Sequence, residues 1–445
     1  MCDIHFPDMN QNDIRDKIHL LIEQYYDASQ KPFVPGRDVV QYAGAVYDEH
    51  ELNAMVDVML RGWFGLGAQG EALEAELAGY FGAKKVYLTN SGSSADLLAI
   101  ASLMSPLLPD PVPEGAEVIT PICTFPTTIS ALLHNRLKPV FVDVDIKTLN
   151  PTAESIEAAI TKKTRIIYLV HTLGNPNDMA PIMRLAKKHK LYVVEDNCDA
   201  MGSTYRGQKT GTWGTFATES FYPAHHMTTA GEGGAIVLND MRFLRITQGL
   251  REWGRACWCG ASGGGIMGTC GVRFNFKIDG LPYDHKYIFN QIGYNLKPVE
   301  IQAAMGRIQL KRMPKFIKAR QKNFDIYTKI FSQYSDYFML HEAMPGSVPS
   351  WFAYPVTIRP GAPFSRFDLT YYLETHRVQT RPLFTGNIVK QPGFKNIKHR
   401  VVGKTPNADL IHTNTFFIGV YPGLTNAHID YVHETLCAFL KKYIR

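Results

Sequence analysis

At 445 residues the chain has room for one large domain and a smaller one. Apolar residues at 45% and charged residues at 20% are soluble globular values that exclude a disordered chain, and no Lys/Arg block interleaved with aromatics marks a nucleic-acid surface. The formal charge of +6 is mild and compatible with an anionic substrate such as a diphosphate.

The segment Met1–Phe6 lacks a basic stretch followed by an apolar run, and no apolar stretch approaches the roughly 18–20 residues needed to span a bilayer. The expected location is therefore cytoplasmic, with no membrane partner. Seven cysteines are present, and Cys257, Cys259 and Cys270 crowd into one glycine-rich stretch; in a reducing compartment this predicts metal ligands in preference to disulfides.

Helical periodicity starts at Ile14–Tyr26, followed by a Pro-containing stretch at Lys31–Arg37. From Lys84 onward short apolar runs alternate with amphipathic ones. Val86–Leu88, Val118–Thr120, Val140–Val144, Ile166–Val170 and Leu191–Glu195 predict buried strands. Ser94–Leu103, Thr127–Leu133, Glu154–Ile160 and Pro181–His189 predict helices between them, with Pro151 opening the third. Ser220–Tyr222 and Ala235–Leu238 predict two further strands, and Val299–Phe316 a long helix. Ala353–Ile358 (strand), Phe367–Thr375 (helix) and Phe416–Val420 (strand) form a second alternating region, closed by a helix carrying Ile429, Val432, Leu436 and Phe439. This alternation predicts a mainly parallel sheet covered by helices on both faces. Ligands of such sheets sit beyond the carboxyl ends of the strands. The expected organisation is an N-terminal helical arm over residues 1–55, a large domain over 56–325 with a Cys-rich insertion at 253–290, and a smaller α/β domain over 326–445.

Three stretches could carry chemistry. Asn90-Ser91-Gly92-Ser93-Ser94 joins a strand to a helix, where small residues and unpaired N–H groups suit an anion, although an ordinary serine cap has the same pattern. Glu195-Asp196 ends a strand in two carboxylates, which could pair with a cationic ring or simply cap a turn. Ser220-Phe221-Tyr222-Pro223-Ala224-His225-His226 precedes Gly231-Glu232-Gly233-Gly234.

The last stretch resembles the signature of the fold-type-I nucleotide-sugar aminotransferases, where a strand ending Ser-Phe leads to a cofactor-binding lysine shortly before Gly-Glu-Gly-Gly. Here His225 stands at the lysine position, and no lysine occurs between Lys209 and Lys277. The resemblance extends to Pro121–Thr127, to Gly293-Tyr294-Asn295-Leu296 and over nearly the whole chain. It implies an α/β fold of the aspartate aminotransferase-like, PLP-dependent transferase class. It gives Gly92, Ser93, Phe125, Asp196 and Ser220 to the cofactor, with Phe125 stacking on its ring. Asn295 would reach the cofactor phosphate of a neighbouring subunit, so a homodimer is implied.

Within this superfamily the chain is most similar to the 3-dehydrases of CDP-4-dehydro-6-deoxyglucose. The shared residues are Glu195–Ala200, His225-His226, Trp253-Gly254-Arg255-Ala256-Cys257-Trp258-Cys259, Tyr283-Asp284-His285-Lys286-Tyr287 and Gly419–Thr425. That resemblance implies a [2Fe–2S] cluster on Cys198, Cys257, Cys259 and Cys270, fed by a separate NADH-dependent flavin/iron–sulfur reductase. Taken alone, the thiolates suit zinc or iron–sulfur equally, and Cys257-x-Cys259 is tighter than the usual zinc knuckle. Gly263-Gly264-Gly265 lengthens the run to Cys270, and Ala230 adds one residue before Gly-Glu-Gly-Gly. Cys2, Cys123 and Cys437 read as structural thiols.

Histidine cannot hold the cofactor as a stable imine, but its neutral ring can accept a proton near neutral pH. The implied cofactor is pyridoxamine 5′-phosphate (PMP), bound non-covalently. The implied reaction is loss of the 3-hydroxyl from CDP-4-keto-6-deoxyglucose, with His225 as base and His226 as its rival. Asp199 and Tyr222 stand where many transaminating relatives carry histidines, and either tune proton transfer or simply hydrogen-bond near the pocket. A sugar aminotransferase and a cluster-free GDP-4-keto-6-deoxymannose 3-dehydrase are the alternative readings.

Overall fold

The computed structural model describes residues 9–259 and 270–443; Met1–Phe6 with its Cys2, and Gly263-Gly264-Gly265, lie outside them. The main sheet has eight strands. Their order is Lys85–Thr89, Gly234–Leu238, Phe216–Ser220, Tyr192–Asp196, Thr164–Val170, Glu117–Pro121, Lys138–Val142 and Arg400–Val401. Gly234–Leu238 runs antiparallel to both neighbours and every other pairing is parallel. Strands such as Glu117–Pro121 and Gly234–Leu238 are buried throughout, as a sheet covered on both faces requires.

Helices Gly92–Leu103 and Pro126–His134 cover one face with Leu98, Ile129 and Leu132 against Val118, Phe141 and Ile166. Met179–His189 and Ala153–Ala159 cover the other, burying Ile182 and Ile156 against Val140 and Ile167. The short helix Ala153–Ala159 is capped by Thr152, so Pro151 precedes the cap instead of occupying the first helical turn. A second sheet of four antiparallel strands, centred on Ala353–Ile358 and Thr415–Gly419, packs against helix Asn426–Leu440.

Two elements depart from their predicted bounds for identifiable reasons. The strand expected at Ser220–Tyr222 is Phe216–Ser220, four residues earlier. Thr218 and Glu219 hid it, being buried polar residues that bond to Asp96 and Asn197. The helix expected to end at Phe316 runs from Glu300 to Ser332, through Pro314. An internal proline costs roughly 3 kcal/mol, and here the buried Phe316, Phe324, Tyr327 and Phe331 farther along the helix offset it. This helix crosses residue 325 without a break, and Arg400–Val401 extends the large sheet. The two sheets are thus tied together by one rigid rod and one shared edge. The helix Gln11–Ser29 buries none of its residues, and Leu21 and Tyr25 are exposed. No described helix is long and apolar enough to cross a membrane.

The strand Tyr192–Asp196 ends in side chains that alternate in direction. Glu195 is fully buried and accepts hydrogen bonds from the backbone N–H groups of Gly211, Trp213 and Gly214 at 2.8, 2.8 and 2.7 Å. Its Oε2 also lies 3.0 Å from His171 Nε2. Replacing Glu195 with alanine strands all these groups without partners and should lower unfolding free energy by at least about 3 kcal/mol. Urea denaturation followed by circular dichroism measures it; an unchanged midpoint would remove Glu195 from the framework.

Candidate active site

Beyond the carboxyl ends of the parallel strands lies a cavity of about 670 Å³. Gly92, Ser93, Phe125, Asp196, Asp199, Ser220, Tyr222 and His225 all line it, and so does Cys198. These residues come from four separate stretches of sequence, brought together because each follows a strand of the same sheet.

Gly92 and Ser93 open the helix Gly92–Leu103, capped by the Ser91 hydroxyl, which accepts from Ser94 N at 3.1 Å. A Cβ at residue 92 would stand 2.6 Å from Ser220 Cβ and 3.0 Å from Cys198 Sγ, so only glycine lets the three segments close. Phe125 is half exposed over the cavity and meets Phe384 edge-on at 6.2 Å. At the inner wall Asp196 accepts from Thr128 Oγ1 at 2.8 Å and from Cys198 N at 3.3 Å.

Asp96, which the motif reading passed over, accepts from Tyr168 Oη at 2.6 Å and from Thr218 Oγ1 at 2.7 Å. Burial raises the Asp196 carboxyl above the ordinary range. Burial and then the neighbouring Asp196 push Asp96 and Asp199 well above it. Burial, followed by the surrounding carboxylates, pushes the Cys198 thiol up as well. Among the described lining residues no lysine is present, and Arg381 carries the single permanent positive charge.

His225 Nδ1 lies 3.4 Å from Asp199 Oδ1, close but not aligned as a hydrogen bond. Arg320, fully buried, donates to the His225 carbonyl at 2.8 Å and to the Phe352 carbonyl at 3.0 Å. It was also missed in the sequence, although a charge four residues from both Phe316 and Phe324, on their buried helix face, is its signal. His226 turns away: its Nε2 lies 2.8 Å from the Ser350 carbonyl, and it does not line the cavity.

Two predicted groups stand elsewhere. Asn295 is exposed, bridges to the backbone of Glu252 and does not line the cavity. Of the four cysteines that the resemblance implies, Cys198 lines the cavity with Asp96 and Asp196, and Cys257 and Cys259 gather around His285. The Nε2 of that histidine is 3.4 Å from Cys257 Sγ, 3.7 Å from Cys259 Sγ and 3.5 Å from Cys270 Sγ. Cys123 is buried, and Cys437 Sγ lies 3.1 Å from Tyr334 Oη.

The profile of the DegT/DnrJ/EryC1/StrS aminotransferase family matches residues 46–437. The chain belongs to that family. Among its DegT/DnrJ/EryC1/StrS relatives, the lipopolysaccharide biosynthesis protein RfbH of Salmonella typhimurium strain LT2 is 44% identical over 429 residues, 95% of this chain and 97% of RfbH. The dTDP-4-dehydro-2,6-dideoxy-D-glucose 3-dehydratase of Saccharopolyspora spinosa is 44% identical over 434 residues, 97% of this chain and 93% of the relative. In three dimensions the chain is similar to the GDP-4-keto-6-deoxy-D-mannose-3-dehydratase of E. coli with bound hydrated PLP. There the TM-score is 0.79 at 30% identity, over 90% of this chain and 100% of the other. The fold is therefore the α/β fold of the PLP-dependent aminotransferases.

Burial pushes His225 down to about 3, and the charge of Arg320 acts in the same direction. From an ordinary value of 6.5 down to about 3, the unfolded chain binds a proton at residue 225 that the folded chain refuses. Stability should therefore fall as pH drops through that window. The His225→Asn variant lacks this contribution, so its unfolding free energy should fall less steeply between about pH 6.5 and 5; parallel profiles for both proteins would contradict the neutral ring.

Proposed function

We propose that this chain removes the 3-hydroxyl of a nucleotide-linked 4-keto-6-deoxyhexose, using non-covalently bound PMP. One observation carries the proposal: His225, not a lysine, lines the cavity between Tyr222 and Glu232, and no described lysine replaces it. The residues present fit a phosphate-bearing, cationic ring. Free N–H groups at a helix start suit the phosphate, Phe125 offers a face, and the crowded acids Asp96, Asp196 and Asp199 call for a positive charge.

Gly92 and Ser93 would hold the phosphate, Phe125 would cover one face of the ring, and Ser220 would border it. The Asp196 carboxyl, lifted by burial, regains its charge when a protonated pyridine nitrogen faces it. When bound, PMP supplies an amine for the sugar's keto carbon and a ring that takes up electrons. His225, neutral across the physiological range, accepts and returns a proton at an imidazole nitrogen. Asp199 lies against Nδ1 and orients the ring, and the Arg320 contact to the backbone carbonyl holds the residue in place. Tyr222, half exposed at the cavity wall, would donate a hydrogen bond to the substrate. Arg381 would meet the diphosphate.

A [2Fe–2S] cluster on Cys198, Cys257, Cys259 and Cys270 would supply single electrons for reduction of the dehydrated product, and a separate NADH-dependent flavin/iron–sulfur reductase would load it. The sequence resemblance favours CDP as the nucleotide, and the relative from Saccharopolyspora spinosa favours dTDP. The RfbH similarity supports a place in lipopolysaccharide O-antigen sugar synthesis. The exposed Asn295 supports a homodimer with shared sites.

The test is anaerobic turnover of CDP-, dTDP- and GDP-linked 4-keto-6-deoxy sugars with PMP and a reductase, read as product mass. One of them should lose its 3-hydroxyl, and His225→Asn should lower kcat by about 10²–10⁴. Borohydride treatment with PLP should leave no adduct near residue 225; a covalent adduct there, or amine transfer to the sugar, would sink the dehydration reading.

A further inference from the structure

One buried acid takes no part in the chemistry proposed for the cavity. Side chains alternate along the strand Phe216–Ser220. Thr218 turns to Asp96 and Ser220 lines the cavity, so Glu219 points to the opposite face, away from the cavity and from Cys198. There it meets Asn197, the residue after the strand end Asp196, whose Nδ2 donates to Glu219 Oε1 at 2.5 Å. Both residues are fully buried. Gly211 closes over them: a Cβ at that position would stand 3.2 Å from Asn197 Nδ2 and 3.4 Å from Glu219 Oε1.

That contact satisfies only one edge of each group. Asn197 Oδ1 and Glu219 Oε2 are buried and find no hydrogen-bond partner among the described residues. Both are acceptors when the carboxyl is ionised, so neither can satisfy the other, and leaving both bare is costly. Turning the amide over leaves the mismatch in place, because one oxygen of each group still lacks a donor. No cation compensates the carboxyl. Glu195 and Asp196 press on it from the neighbouring strand, and Tyr80 of helix Ala68–Phe81 feels its charge. Lys209 stands over the Tyr80 ring at 3.9 Å and forms no ion pair with Glu219 among the described residues. Burial, and after it the carboxylates of Asp196 and Glu195, push the acid well above the ordinary range against the pull of Asn197.

A single proton removes the mismatch. We infer that Glu219 holds a proton on Oε2 and donates it to Asn197 Oδ1, closing a ring of two hydrogen bonds between a carboxylic acid and an amide. The ring joins the end of Tyr192–Asp196 to the end of Phe216–Ser220, beside the backbone bond from Asn197 N to the Thr218 carbonyl at 3.0 Å. It thereby sets the spacing of Asp196 and Ser220, the cavity residues that adjoin its two members. Glu219 and Asn197 are positioning residues, and neither lines the cavity. A planar pair bonded at both edges resists rotation and sliding that one bond permits. The inference concerns the frame of the cavity and holds for any sugar that enters it.

The proton is read on the full-length protein without sugar. Subtracting the infrared spectrum of Glu219→Gln from that of the wild type at neutral pH should leave a protonated-carboxyl C=O band that shifts in deuterated water. Absence of that band would overturn the inference. Glutamine keeps both hydrogen bonds but has no proton to titrate. Above the ordinary carboxyl value of 4.5 the unfolded wild type releases the proton that the folded chain keeps. Its folding constant relative to Glu219→Gln should therefore fall with rising pH, by up to about tenfold per pH unit. A ratio that stays flat or rises would show an ionised Glu219. Positioning is read by absorbance titration with PLP. Glu219→Gln should bind as the wild type does, and Glu219→Met, which leaves the Asn197 amide unpaired, about tenfold more weakly. Equal binding by Glu219→Met, or weakened binding by Glu219→Gln, would remove the pair from the frame of the site. If Glu219→Met fails to fold, the glutamine variant still decides, and its infrared and pH readings need neither cofactor nor substrate.

Discussion

The site depends on a single strand end, where two adjacent carboxylates point to opposite faces of the sheet. Glu195 is clamped below by three backbone N–H groups and His171, and Asp196 is thereby held upright in the cavity. Neither could serve the other's purpose. Four donors satisfy Glu195 and make it a strut, whereas Asp196, with a threonine hydroxyl and one amide, retains capacity for a ligand. The next residues, Cys198 and Asp199, inherit their positions from the same anchor.

Around that anchor the electrostatics are unusual for a core. Asp96, Asp199 and Glu219 are all pushed well above the carboxylate range by burial. His225 is pushed down, so it faces Asp199 as a neutral ring. Such a pocket sets a neutral imidazole among crowded carboxyl groups, which suits proton transfer and which a Schiff-base lysine would disturb. The crowded carboxyl groups are where a cationic ring belongs.

Two centres, cavity and cysteine cluster, thus occupy separate parts of the chain. The cavity is built from strand ends of the main sheet, and the cluster from a hairpin insertion after helix Leu244–Arg251. Cys198 lines the first, and its backbone N–H donates to Asp196. Cys198 lies two residues after Asp196 and lines the same cavity.

Much was legible before any coordinates. The β-branched runs, the Ser-rich helix start, the acidic strand end and His225 ahead of Gly-Glu-Gly-Gly are local patterns, and a strand's burial or a helix cap is decided within a few residues. The strand Phe216–Ser220 was misplaced because its buried Thr218 and Glu219 look exposed until Asp96 and Asn197 are known to meet them. The helix through Pro314 was cut short because the core that offsets the proline lies far away in sequence. The chain by itself determined the layered sheet, the ligand end of its strands and an imidazole at the reactive position. Only tertiary packing decided that Arg320 supports that imidazole, that His226 faces away, and that His285 meets Cys257, Cys259 and Cys270. Those are contacts between segments tens to more than a hundred residues apart, and side-chain partners at that range depend on how whole elements pack, which no local spacing records.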